Sequence, residues 1–174
     1  MTEVSINKQA RLSEHFKLAE LCKTSVKTKD GNIPSHVQIE NMKRVCGWLE
    51  MLRDEWNRRY SCGTVPQCCK QHSCDSPIGD DPIIINSGYR SPAVNKAVGG
   101  VATSNHLTGC AVDIRVLGME QLIRYAVILL DISDKSQEPF DELLIERNAK
   151  GTYWLHFAVR PEGNRRKIRL MEDG

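Results

Sequence analysis

The stretch from Asp141 to Arg160 constrains the fold most. Asp141–Arg147 and Thr152–Arg160 are two strand-like runs, and Asn148-Ala149-Lys150-Gly151 between them is a hairpin signal. That tetrapeptide suits a type I turn whose Gly151 takes the left-handed conformation and makes a bulge. The turn sets Asn148 opposite Thr152, hence Glu146 opposite Trp154 and Leu144 opposite His156. Directly opposed residues share a face, so Glu146 and His156 become diagonal neighbours, about 7–8 Å apart at the backbone. Glu142 shares that face on the other side of His156, whereas Asp141 points away. A two-residue turn would shift the pairing by one and turn Glu146 to the opposite face.

Helices come first along the chain. Ser35 and Gln38 have the spacing of a capping box. Ile39, Met42, Cys46, Leu49, Leu52 and Trp56 then recur at three- and four-residue steps, the apolar face of a long helix. Glu40, Lys43, Arg44, Glu50, Arg53 and Asp54 make its solvated face. Pro82–Ser87 reads as a buried strand stopped by Gly88, Ala93–Val98 as a short helix ended by Gly99-Gly100, Ala111–Val116 as a strand and Met119–Leu130 as another helix. Helices followed by antiparallel-looking strands predict one α+β domain over residues 1–174, a small antiparallel sheet packed against helices. Residues 1–34 form an N-terminal arm wrapping the surface, and residues 59–81, with Gly63, Pro66, Pro77 and Gly79, form a cysteine-rich insertion.

Composition excludes several classes. A chain of 174 residues is long enough to bury a core. Its 24 Lys and Arg against 22 Asp and Glu leave a net charge of +2, without the basic excess of a nucleic-acid binder. No apolar run approaches the roughly 18 residues that cross a bilayer. The opening MTEVSINKQARLSEHFKLAEL has no apolar stretch of the kind a signal peptide needs, which predicts a chain that is cytoplasmic as synthesised and that leaves its cell, if at all, by release. The 7 cysteines are accordingly expected as mostly reduced thiols. Cys62, Cys68, Cys69 and Cys74, with His72, could hold a structural metal, but adjacent Cys68 and Cys69 do not match paired C-x-x-C knuckles. The lack of any C-x-x-C pair also speaks against a redox protein.

Two histidines stand in unusual company: His106 in Ser104-Asn105-His106-Leu107-Thr108-Gly109-Cys110-Ala111-Val112-Asp113, and His156 in Trp154-Leu155-His156-Phe157-Ala158. Ser104, His106, Gly109, Ala111 and Asp113 reproduce the S-x-H-x-x-G-x-A-x-D motif of the zinc D-Ala-D-Ala carboxypeptidases and related peptidoglycan peptidases, and the chain resembles that family. Ser87-Gly88-Tyr89-Arg90-Ser91-Pro92 and Asn95-Lys96-Ala97-Val98-Gly99-Gly100 are similar to the family's approach to the motif. Phe140-Asp141-Glu142-Leu143-Leu144-Ile145-Glu146, Trp154-Leu155-His156 and Asn164-Arg165 resemble its closing hairpin. Leu12-Ser13-Glu14-His15-Phe16 and Leu18-Ala19-Glu20-Leu21 are similar to the start of phage and bacterial members.

The resemblance implies Zn²⁺ held by His106, Asp113 and His156, and hydrolysis of peptide bonds in peptidoglycan stem peptides or cross-links by a monomeric enzyme. Two neutral imidazoles and one carboxylate are a fitting set, because they leave a catalytic zinc with residual positive charge and a fourth position for water. Many members carry an acid three residues before the last histidine; Tyr153 stands there. The most similar subgroup instead has a glutamate late in the first hairpin strand, which makes Glu146 the expected general base and Glu142 the second choice. Arg90 matches an arginine that holds a substrate carboxylate, with a structural pair to Asp113 or another acid as its other reading. Ser104 is expected to orient His106, and Cys110 to be a small packed residue. Phage or prophage members reach the cell wall by release, which fits a chain without an export signal. The competing reading is a non-catalytic, zinc-stabilised binding module, the use made of a similar metal site by the hedgehog signalling domain.

Overall fold

The computed structural model describes residues 7, 9–29, 31–60 and 81–171. The cysteine-rich cluster from Cys62 to Cys74, with His72, lies outside them. Helix α1 spans Leu18–Leu21 and α2 His36–Tyr60; strand β1 (Ile85–Ser87) and helix α3 (Pro92–Ala97) follow. A single 3-10 turn, η1, covers Asn105–Thr108 and leads into β2 (Ala111–Arg115), α4 (Met119–Ser136), β3 (Glu142–Arg147), β4 (Tyr153–Ala158) and β5 (Lys167–Met171). The architecture is α+β, with one five-stranded sheet in the order β1-β2-β4-β3-β5.

Local chemistry explains the long helix. The Ser35 N–H donates to Gln38 Oε1 at 2.7 Å while Ser35 Oγ accepts from the Gln38 N–H at 3.4 Å, the reciprocal cap the spacing predicts. Met42, Cys46, Leu49 and Leu52 are fully buried, joined by Val45 and Trp48. Arg53, expected in solvent, is only 8% exposed. It lies seven residues beyond Cys46, two turns along the same stripe, so helical geometry carries it inward despite its charge.

The arm wraps the fold with its apolar side chains turned inward. Phe16, Leu18 and Leu21 are buried in the core, and Glu50 of α2 accepts from Ser13 Oγ at 2.6 Å and the His15 N–H at 2.7 Å.

The hairpin has the register derived above: Glu146 pairs with Trp154 and Leu144 with His156. Gly151 has φ +79°, and its N–H donates to the Asn148 carbonyl at 2.8 Å. Strand β2 lies against the other edge of β4, with Asp113 directly opposite His156. Val112 and Ile114 on its reverse face are fully buried. The first four strands pair antiparallel, and β5 adds to β3 in parallel. The sequence reading had no strand at β5, because Ile168 and Leu170 stay exposed at the sheet edge among Lys167 and Arg169 and leave no clear buried face. Among the described residues no helix is long and apolar enough to cross a membrane.

Candidate metal centre and active site

Three buried side chains meet where η1 faces the centre of the sheet. His106, Asp113 and His156 are 2%, 5% and 5% exposed, and one ligand atom from each lies within 4.8 Å of the others. Asp113 Oδ1 is the hub, 3.2 Å from His106 Nε2 and 3.0 Å from His156 Nδ1. The pairing of β2 with β4 puts Asp113 and His156 side by side, and η1 brings His106 over them.

The sequence around His106 explains its posture. Ser104 caps η1, its Oγ accepting from the His106 N–H at 3.3 Å, which is the orienting duty expected of it. Gly109 ends η1 at φ +73°, and a Cβ there would lie 2.6 Å from the Gln38 carbonyl oxygen of α2. His106 Nδ1 is 2.6 Å from the Gly88 carbonyl. A carbonyl only accepts, so Nδ1 carries a proton, and Nε2 is the nitrogen that faces Asp113. Gly88 is itself packed against the arm: a Cβ would sit 2.4 Å from the Leu21 carbonyl, which also accepts the Tyr89 N–H at 2.7 Å.

The electrostatics call for a cation. Burial works against the Asp113 carboxylate, but His106 and His156 outweigh it and hold it below the usual carboxylate range. Burial also opposes charge on His156, yet its hydrogen bond to Asp113 and the nearby Glu142 carboxylate raise its pKa to about 9. Proton and metal thus compete for the same buried lone pairs. Two imidazole nitrogens and a carboxylate oxygen, converging and shielded, are a donor set that fits a tetrahedral metal with one open position.

The group opens on a cavity of about 450 Å³, lined among others by Arg90, Glu142, Glu146, Arg160, Arg165 and Lys167. Glu146 Oε2 accepts from Trp154 Nε1 at 2.7 Å. Glu142 Oε2 is 3.5 Å from His156 Nε2 and accepts from Asn105 Nδ2 at 2.9 Å, while its Oε1 takes Arg165 and Lys167. The proximity of His156 leads the interactions that hold Glu142 well below the ordinary carboxylate range. Arg90 bonds Asp113 Oδ2 through Nη2 and Ser87 Oγ through Nε at 2.9 Å, the structural pair that was its second reading. Cys110 is buried outside the metal group, as expected, and Cys46 is likewise a buried thiol.

Asp141 is a residue the sequence reading passed over. The register turns it off the His156 face, yet it is fully buried beside the site and accepts from Asn105 Nδ2 at 2.7 Å and from Arg165 Nε and Nη2 at 2.8 and 2.7 Å. It precedes the first paired residue of β3, so strand alternation does not govern its side chain. Its place in the closing motif, together with Asn164 and Arg165, is the sequence hint to this role.

An α+β fold with a buried His–Asp–His group at the floor of a polar cavity defines, among the described residues, a protein with a candidate metal centre. A family model described as Peptidase M15 matches residues 14–129, and the chain belongs to that family. Its members are metal-dependent peptidases, so the activity class is peptide hydrolysis and the substrate a peptide. The matched stretch contains His106 and Asp113; His156 joins them through the β2–β4 pairing. Comparison with curated proteins gives no match.

Proposed function

We propose that the chain is a zinc peptidase that cuts peptide bonds in peptidoglycan stem peptides or cross-links, with His106, Asp113 and His156 as the zinc ligands. The observation that supports it best is the buried His–Asp–His group on a cavity that also holds two carboxylates, Glu142 and Glu146. What zinc supplies in such a site is Lewis acidity toward a peptide carbonyl and toward water. Glu146 is the general base: among the described residues its hydrogen-bond partner is a neutral indole N–H, so its carboxylate can take a proton and return it to the leaving amine. Glu142, bonded to Asn105, Arg165 and Lys167 and facing His156 Nε2, orients the ligand instead. Arg90 fixes the Asp113 carboxylate and adds positive charge beside the reacting carbonyl.

The test is incubation of the zinc-loaded protein with purified peptidoglycan and with defined stem peptides, with and without a chelator, followed by mass analysis. Chelator-sensitive fragments at a single bond type are expected. Tight zinc binding with no cleavage of any of these substrates would instead make the chain a binding module.

A further inference from the structure

The metal group leaves open what anchors the substrate beyond the reacting bond. The cavity contains three guanidinium groups, and their commitments differ. Arg90 spends Nε on Ser87 and Nη2 on Asp113. Arg165 spends Nε on Asp141 and Nη2 on both Asp141 and Glu142. Arg160 is held only through Nε, which is 2.9 Å from Asn105 Oδ1 and 2.9 Å from Asp141 Oδ2. Neither of its terminal nitrogens has an acceptor among the described residues.

Arg160 is also fixed at its backbone. Its N–H donates to Asn164 Oδ1 at 2.8 Å, and its carbonyl accepts from Asn164 Nδ2 at 3.0 Å. The side chain, 31% exposed, lines the metal-site cavity and a neighbouring one of about 390 Å³ bounded by Asn41, Thr108, Cys110 and Pro161. Arg160 lies four positions beyond His156, just past the end of β4, about 13 Å of extended backbone, with only the small Ala158 between them on that side.

We propose that Arg160 is the carboxylate anchor of this site, its two free terminal nitrogens gripping a carboxylate of the peptide substrate a few residues from the bond that is cut. A planar fork tethered at Nε loses little freedom on binding and matches a carboxylate with two parallel N–H···O bonds. Acidic neighbours do not repel the ligand strongly, because Asp141 and Glu142 are already neutralised by Arg165 and Lys167. The proposal rests on the peptidase reading for the identity of the ligand. It moves the carboxylate-holding role from Arg90, whose fork is engaged with Asp113, to a residue outside the motif.

The experiment compares N-acetyl peptides ending in D-alanyl-D-alanine, one with a free C-terminal carboxylate and one amidated. A third peptide, amidated but carrying a glutamate side chain, separates a terminal from a side-chain carboxylate. Binding to the zinc-loaded protein is read by calorimetry, and kcat/KM wherever turnover occurs. The parent should favour one carboxylate peptide over the plain amide by about 10–100-fold. Arg160→Lys, which keeps the charge but not the fork, should cut that preference about tenfold or more, and Arg160→Gln should remove it. Zinc content and thermal midpoint confirm that the variants are folded. A parent that binds all three peptides alike, or an Arg160→Lys protein that keeps the parent's ratio, overturns the proposal. Selective binding without cleavage would refute the peptidase reading and leave the anchor standing.

Discussion

Gly109→Ala probes the joint on which the metal centre is mounted. At φ +73° an alanine takes on the left-handed penalty of about 1–2 kcal/mol. Its Cβ would also lie 2.6 Å from the Gln38 carbonyl oxygen, a backbone atom that cannot rotate aside. Relief requires η1 to move off α2, straining the bonds from Gln38 Nε2 to the Leu107 carbonyl and from Asn41 Nδ2 to the Thr108 carbonyl, both 2.9 Å. At about 0.5–1.5 kcal/mol for each bond, the whole loss comes to about 2–5 kcal/mol, or a midpoint lowered by about 4–20 °C. Gly151→Ala is the internal control. It has φ +79° but nothing within 4 Å of its Cβ, so only the left-handed penalty applies and the drop should be about 2–8 °C. Differential scanning calorimetry on both variants, with zinc affinity by chelator competition, reads the difference. Zinc affinity should fall in Gly109→Ala, which displaces His106, and hold in Gly151→Ala. Equal midpoints and equal zinc affinities would refute the close approach of η1 to α2.

Glu146→Gln should keep zinc bound while turnover falls by roughly 10²–10⁴-fold, whereas Glu142→Gln should chiefly weaken zinc retention; the reverse pattern in metal analysis and kinetics would exchange their roles. His106→Ala and His156→Ala should each lose zinc stoichiometry by elemental analysis, and full retention in both would place the metal elsewhere. Burial pushes the Cys46 thiol up to about 12 and raises that of Cys110, so neither should react with iodoacetamide at pH 8 until the protein is unfolded, as peptide mapping would show. Burial opposes the Asp141 carboxylate, but Arg165 and Asn105 outweigh it and hold its pKa below the ordinary value. Its stabilising effect is therefore present above the unfolded value of about 3.9 and lost as pH falls below it. Asp141→Asn should lower stability by about 1–3 kcal/mol at pH 7, and the gap to the parent should narrow on acidification below pH 4. A constant gap would remove Asp141 from the ion-pair network.

Much of this molecule was legible in local pattern. The capping box at Ser35, the apolar stripe of α2 and the Asn148–Gly151 turn depend on neighbours within a few residues, so periodicity and turn chemistry specify them directly. The hairpin register followed from one glycine, and with it the common face of Glu142, Glu146 and His156. Gly109 stood out as a motif residue, but its contact with the Gln38 carbonyl, some seventy residues away in the chain, had no local signature.

Arg53 shows the limit in a helix: its charge argues for solvent, while its place two turns from Cys46 carries it inward. Strand β5 shows it in a sheet, since an edge strand with an exposed face carries little hydrophobic signal and is defined by its partner β3. Asp141 and Arg90 show it at the site. Which acid a guanidinium meets depends on strands brought together from distant parts of the chain, and no spacing records that Asp113 occupies the Arg90 fork while Asp141 tethers Arg160 only at Nε. The sequence alone determined the long helix, the hairpin face and the residue types able to hold a metal, because those follow from short-range geometry and side-chain chemistry. Only the tertiary structure decided how the charges pair around them, because ion pairing is a property of side chains made neighbours by folding.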